Sequence, residues 1–276
     1  MADEKLNIYC IDIGNTRTHC ALVSAPAAKS QRRLSESDFK LSNCADFDSA
    51  GFAKIFSSAS PALESGADAI AWCSVVPEYA AELSDSLRAR AIASMQLTWE
   101  NSPLKLDMKA PAQVGQDRIA AALGAGLIFD PPYITVDMGT AVTIDLVDAS
   151  GAYAGGAIAP GMHAFAQYLS ERAAQLPKIN PAMADYSLNI GKDTVEAMYV
   201  GCAKGFCRLA DGIISDIEGE FFGGKSAAGK TVFTGGSVGL LPKKWLAGRR
   251  IELNLTQLGL AYAYILNISK TKYDKR

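Results

Sequence analysis

The chain has 276 residues, room for one large domain or two of ordinary size. An apolar fraction of 49% against 20% charged fits a globular protein with a large core, while a net charge of −2 offers no basic field to nucleic acid or an anionic membrane. No apolar run reaches the ~18 residues that span a bilayer, the acidic start MADEKLN is unlike a secretory signal, and only two histidines, His19 and His163, exclude a multi-histidine metal site.

Residues 6–13 and 18–23 read as strands around a polar turn, within IYCIDIGNTRTHCALV. Residues 24–50 are polar and have room for an edge strand and a loop. AIAWCSVV, residues 69–76, reads as a buried strand ended by Pro77, and EYAAELSDSLRARAI after it has helical spacing. Residues 101–114, broken by prolines and polar residues, read as a loop. DRIAAALGAGLIF, residues 117–129, is an almost wholly apolar helix and therefore buried. A second strand–turn–strand, ITVDMGTAVTIDLV, occupies residues 134–147. The glycine-rich GAYAGGAIAPG, 151–161, predicts close approach to another backbone or a ligand. Helical stretches follow near 162–174 and 193–217, then a strand ending in a glycine turn at 231–236, then a terminal helix at 255–267. Alternating strands and helices make the class α/β. Cys10, Cys20, Cys44, Cys73, Cys202 and Cys207 form no C-x-x-C pair, and several lie in apolar stretches. They read as packing thiols of a reduced, cytosolic protein.

The two strand–turn–strand units share a kernel. Asp12, Gly14 and Thr16 align with Asp137, Gly139 and Ala141, an offset of 125 residues. A repeat at nearly half the chain predicts two similar lobes. Asp-x-Gly is also an ordinary hairpin turn. Yet exposed turn N–H groups with a Thr or Asn side chain can hold phosphate oxygens, and a carboxylate beside phosphate calls for a cation between them. Asp117 likewise has two readings, the cap of an alanine-rich helix or a group at an anion-attracting helix start. Arg118 at the front of an apolar helix suits two-pronged grip of a carboxylate. GKSAAGKT, residues 224–231, matches the P-loop spelling, but a helical stretch precedes it and a strand follows, the reverse of the order a P-loop needs.

DIGNT, VGQDR, DMGTAVTID, GGAIAPG and TGG, in that order, resemble the type III pantothenate kinases of the actin-like, sugar-kinase-like ATPase superfamily. AQLP at 174–177, IGKDTVEAMYVG at 190–201 and LNLTQLGL at 253–260 extend the resemblance from residue 8 to about 267. It implies two similar α/β lobes of ribonuclease-H-like type with the active site in the cleft between them. The lobes would be residues 1–116 and 117–276, helix 117–129 connecting and the terminal helix packing back.

The activity implied is ATP-dependent phosphorylation of pantothenate to 4'-phosphopantothenate, the first step of coenzyme A biosynthesis. The alternatives are a kinase or phosphatase of another small hydroxy compound, or a non-catalytic nucleotide-binding regulator. By resemblance, Asp12, Ile13, Gly14, Asn15, Thr16, Arg17, Thr18 and His19 bind ATP phosphates, with Asp12 reaching Mg²⁺ through water. Asp137 holds a monovalent cation, K⁺ or NH₄⁺, and Thr140 touches ATP. Gly115, Gln116, Asp117, Arg118 and Thr194 form the pantothenate site, with Asp117 the general base. Gly155, Gly156 and Gly161 shape the substrate side, and Thr234, Gly235 and Gly236 the adenosine-side turn. A cytoplasmic homodimer is implied, with no nucleic acid or membrane partner. Two positions depart from the family pattern. Met108 stands three residues before Pro111 where an aromatic is common, and Asp193 stands beside Thr194 where Asn is usual. Both put substrate affinity in question.

Overall fold

In a computed structural model, which describes residues 5–27, 33–52 and 66–273, the chain forms two compact units. The acidic residues 1–4 lie outside the described residues. The first unit comprises Met1–Pro131, Gly151–Tyr153 and Asn254–Arg276; the second comprises Pro132–Ser150 and Ala154–Leu253. This division differs from the expected boundary after residue 116. The helix that begins there and the terminal helix both belong with the first unit, because each buries its apolar face in that core.

The first sheet is built on β1 (Lys5–Ile13) and β2 (Arg17–Pro26), an antiparallel hairpin in which Asp12 faces His19 and Ile13 faces Thr18. β3 (Lys40–Asp48) adds antiparallel to β2, the edge strand expected in the polar stretch, although residues 28–32 of that stretch lie outside the described residues. β4 (Ala69–Ser74) runs parallel to β1, and β5 (Ser94–Gln96) parallel to β4, giving the order β3-β2-β1-β4-β5. Every residue of β4 is buried, so it reads as a continuous apolar run rather than an alternation. Pro77 opens α1 (Pro77–Ala89), where its missing N–H costs nothing.

The apolar helix α2 (Gln116–Ile128) contains eight buried residues. In the second unit β6 (Tyr133–Met138) and β7 (Ala141–Val147) form another antiparallel hairpin. β8 (Tyr153–Pro160) is the strand within the glycine-rich stretch; it follows β7 in the sheet, and α3 (Met162–Arg172) follows it in the chain. The expected helix at 193–217 is three pieces: α4 (Thr194–Tyr199), a π-turn over Val200–Lys204, and α5 (Gly205–Phe221). β9 (Thr231–Thr234) pairs parallel with β6 and β10 (Arg250–Ile251) parallel with β9, so the order β10-β9-β6-β7-β8 repeats that of the first sheet. The short α6 (Lys243–Leu246) lies between them in sequence, and its Trp245 packs edge-on against Phe233.

The terminal helix α7 (Leu255–Tyr273) packs on α2 and on β1, β2 and β4. Gly124 and Gly259 sit where the two helices meet, and a Cβ on either would run into backbone of the other helix: Leu255 O in one case, Ala120 O in the other. Only hydrogen side chains let these axes come so close.

Candidate active site

The first turn is fixed by its own backbone. Gly14 N–H donates to Arg17 O (3.0 Å), and Ser49 clamps the turn from outside the strands: its N–H donates to Thr16 O (3.2 Å) and its hydroxyl to Gly14 O (2.8 Å). Thr18 is fully buried, and its hydroxyl donates to Ser49 Oγ (3.1 Å); Ile13 is buried too. These two expected ATP contacts therefore shape the turn instead of offering side chains outward. Asn15, Thr16 and Arg17 form its exposed tip, with Asp12 and Gly14 half-buried behind them. His19 Nδ1 lies 2.5 Å from Asp46 Oδ1 on β3, so its imidazole is committed to the neighbouring strand.

Behind the turn, Cys73 on β4 is the register partner of Asp12, and its thiol donates to Asp12 Oδ1 (3.3 Å). The sequence reading assigned Cys73 only a packing role. Burial, with the carboxylates of Asp12 and Asp117 nearby, pushes this thiol well above its ordinary value and keeps it protonated. The next residue of β4, Ser74, donates its N–H to Gln116 Oε1, so the strand that holds Asp12 through Cys73 also anchors the helix start that carries Asp117.

Asp117 sits in the first turn of α2, whose N-cap is Gly115 rather than Asp117. Its Oδ1 accepts from Arg118 N–H (2.8 Å), one of the donors a helix start leaves without an intrahelical partner. A Cβ on Gly115 would stand 2.5 Å from that same oxygen, so the glycine leaves room for the carboxylate. Gln116, expected to touch substrate, spends its Oε1 on the scaffold. It accepts from Ser74 N–H (3.1 Å) and Gln96 Nε2 (3.2 Å), tying the helix start to the ends of β4 and β5. The Arg118 guanidinium lies over the buried Tyr153 ring, 5.9 Å from its centroid. Tyr153 is held by backbone bonds to Lys105 O (2.8 Å) and from Asp107 N–H (2.9 Å), beside the segment that carries Met108. The aromatic neighbour of Arg118 thus comes from the glycine-rich stretch, where pattern reading had marked only glycines.

The second turn repeats the first. Gly139 N–H donates to Ala141 O (3.0 Å), and Thr140 is exposed at the tip. Asp137 occupies the position of Asp12, with Thr234 of β9 as its register partner. Thr234 is buried and donates to Leu253 O (3.4 Å), so its side chain belongs to packing. Gly235, at φ +96°, approaches so closely that a Cβ would collide with Asp137 Oδ1 and the Met138 backbone. Gly161 N–H donates to Thr140 O (3.0 Å), and Gly156 abuts Ile144 O. These two glycines serve close backbone approach to the hairpin, the first of the two readings of their stretch. Thr194 is exposed at the first position of α4, and Asp193 is the N-cap: its carboxylate accepts from Glu196 N–H (2.8 Å).

The P-loop spelling at 224–231 lies between α5 and β9, with a 3-10 turn at Ala228–Lys230. No strand feeds it and no helix leaves it, so it cannot aim a helix N-terminus at phosphate.

A profile of the type III pantothenate kinase family matches residues 8–216. The type III pantothenate kinase of Streptomyces avermitilis is 33% identical over 268 residues, covering 96% of this chain and 100% of that one. The type III pantothenate kinase of Caulobacter vibrioides is 30% identical over 270 residues, 94% of this chain and 97% of that one. Among solved structures, a Campylobacter jejuni protein described as a Baf family transcriptional activator superposes with a TM-score of 0.61 at 18% identity, covering 95% of this chain and 99% of its own. The activator of the 2-hydroxyisocaproyl-CoA dehydratase from Clostridium difficile, solved with ADPNP, gives 0.52 at 9% identity, covering 98% of each chain. At such identities these two structures speak to fold alone, and they agree with the two-lobed α/β architecture of the actin-like ATPases expected from the sequence.

Proposed function

The chain belongs to the type III pantothenate kinase family, and from that premise we propose how its own residues phosphorylate pantothenate with ATP, the first step of coenzyme A biosynthesis. Asp117 accepts the proton of the primary hydroxyl as that oxygen attacks the γ-phosphorus. The new O–P bond forms as the bond to the β-phosphate oxygen breaks, and ADP leaves. Arg118 grips the pantothenate carboxylate, its guanidinium face steadied by Tyr153. The exposed tip Asn15-Thr16-Arg17 and the turn N–H groups take phosphate oxygens. The observation that carries this reading is the tie through the end of β4: Cys73 hydrogen-bonds Asp12 of the phosphate turn, and the next residue, Ser74, donates its N–H to Gln116 at the start of the helix that carries Asp117.

The donor set fits the ions implied. A magnesium ion bound mainly by water and phosphate needs only one or two carboxylates, and Asp12 stands half-buried behind exposed donors. Among the described residues no group of three or more His, Cys, Asp or Glu side chains converges to hold a metal, so a site completed by substrate oxygens suits this chain. Asp137 at the second turn offers a hard oxygen for K⁺ or NH₄⁺, with Thr140 at the adjacent tip for ATP. When bound, Mg²⁺ neutralises charge on the transferring phosphoryl oxygens.

Thr194, exposed at the start of α4, is assigned to substrate, and a homodimer is assigned to the exposed apolar side chains Ile158, Tyr168, Met183, Ile190 and Val195. Five of the six cysteines are buried thiols, which supports a reducing, cytoplasmic setting. No helix among the described residues is long and apolar enough to cross a membrane.

A coupled ATP assay with pantothenate, with and without K⁺, tests the activity and its cation. Asp117→Asn lowers kcat by ~10²–10⁴, the usual worth of a general base, while calorimetry still registers ADP binding. Near-wild-type turnover in that variant removes Asp117 from its role.

A further inference from the structure

We propose that Cys73 is a positioning residue for the phosphate-side carboxylate: its buried S–H holds Asp12 in the orientation that meets the nucleotide. The inference rests on the reading of Asp12 as the acid on the Mg²⁺ side and adds to it a residue that has no assigned part.

The geometry begins with register. β4 runs parallel to β1 with Cys73 opposite Asp12, so the two side chains rise from the same face of the sheet, one strand apart. The sulfur is fully buried and stands 3.3 Å from Asp12 Oδ1. A carboxylate oxygen only accepts, so the thiol is the donor. Cys73 lies on the neighbouring strand and not in the exposed tip Asn15-Thr16-Arg17, so the bond reaches the carboxylate from within the sheet. Backbone anchors both ends: Val75 N–H, two residues past Cys73, donates to Ile13 O (3.1 Å), one residue past Asp12.

The second hairpin supplies the contrast. Its register equivalent of Cys73 is Thr234 opposite Asp137, and Ser237 N–H donates to Met138 O (2.9 Å) where Val75 N–H donates to Ile13 O. Thr234, a better donor than a thiol, turns its hydroxyl to Leu253 O instead. A donor at this register position is therefore free to look elsewhere, and Cys73 does not.

The test is calorimetric titration of each variant with a non-hydrolysable ATP analogue across a range of Mg²⁺, alongside steady-state kinetics. Cys73→Ala, which deletes the donor, weakens Mg²⁺-dependent analogue binding by ~3–10-fold, the range of one modest hydrogen bond. Cys73→Ser, which keeps a donor in a similar volume, returns to within about twofold of wild type. KM for pantothenate stays unchanged in both. In an Asp12→Ala background, Cys73→Ala adds no further loss. Wild-type analogue binding in Cys73→Ala, or equal loss in the Ser and Ala variants, overturns the positioning role. If Asp12→Ala itself leaves the Mg²⁺ dependence intact, the reading of Asp12 fails and the inference falls with it. Loss in Asp12→Ala without loss in Cys73→Ala overturns the inference alone.

Discussion

In the first unit the acid before the turn, Asp12, faces Cys73 across a parallel strand pair and receives its thiol hydrogen bond. In the second unit Asp137 faces Thr234 across the equivalent pair, but it is Gly235, one residue further, that presses against the carboxylate. The strand orders match, both turns close with a glycine N–H, and both acids precede that glycine by two residues. Register decides which residues meet, whereas the chemistry of each side chain decides what the meeting does. The register partner of one acid gives it a thiol hydrogen bond, whereas the register partner of the other turns its hydroxyl to Leu253 O.

The sharpest way to break this comparison is to delete each acid in turn. Asp12→Ala and Asp137→Ala should each lower turnover on the order of 10²-fold or more, the scale of losing a charged group that stabilises the transferring phosphoryl. Their ion dependences should part. The Mg²⁺ concentration for half-maximal rate rises in Asp12→Ala, and activation by K⁺ disappears in Asp137→Ala. Kinetics at varied Mg²⁺ and K⁺ read both. Identical ion responses in the two variants would mean that the turns are not specialised.

A smaller effect separates two glycines that look alike. Gly115 leaves space for Asp117 Oδ1 and Gly235 leaves space for Asp137 Oδ1. At Gly115 the backbone is ordinary, φ −56°, and a new methyl meets chiefly the movable end of Asp117. Gly115→Ala should therefore keep its thermal midpoint while kcat falls about 10–10²-fold, since ~1 Å of misplacement can cost that much. Gly235 has φ +96° and a Met138 backbone neighbour 2.6 Å from an added Cβ. Gly235→Ala should lose about 1–3 kcal/mol of stability by denaturant melts, through strain that no side-chain rotation relieves. Equal stability in the two variants would remove the distinction.

Much of this architecture could be read from residue pattern. Both hairpins, the buried β4, the apolar α2 and the strand after the false P-loop were legible because their period and punctuation are strong. The turn residues Asp12, Gly14 and Asp137 were legible because acid, glycine and small polar residues combine at few other places. Long-range partners were not. Nothing in the sequence near Cys73 says that a strand 61 residues earlier brings Asp12 beside it. Tyr153 reaches Arg118 through a bridge from Leu106, which no local period encodes. Thr18 and Gln116 match a binding motif, yet the Thr18 hydroxyl goes to Ser49 and Gln116 Oε1 accepts from Ser74 N–H and Gln96 Nε2, all on the scaffold. The pairing of α2 with α7 is hidden for a related reason: the two helices are 127 residues apart at their closest ends, and only packing through Gly124 and Gly259 makes them neighbours.

The smallest effect concerns Asp193, whose charge seemed a burden on an anionic substrate when read beside Thr194. In the structure the carboxylate caps α4 through Glu196 N–H, while the Glu196 carboxylate reaches back to Lys192 N–H (2.7 Å). A cap needs an acceptor, not a charge, and Asn caps as well as Asp. Asp193→Asn should therefore leave both thermal stability and KM for pantothenate where they are. Asp193→Ala, which removes the acceptor, should cost about 0.5–2 kcal/mol of stability, and any rise in KM should follow from fraying of the turn that presents Thr194. A fall in KM for pantothenate in Asp193→Asn would instead mean that the charge reaches the substrate, and the second unit would then repel one anion while its hairpin grips another.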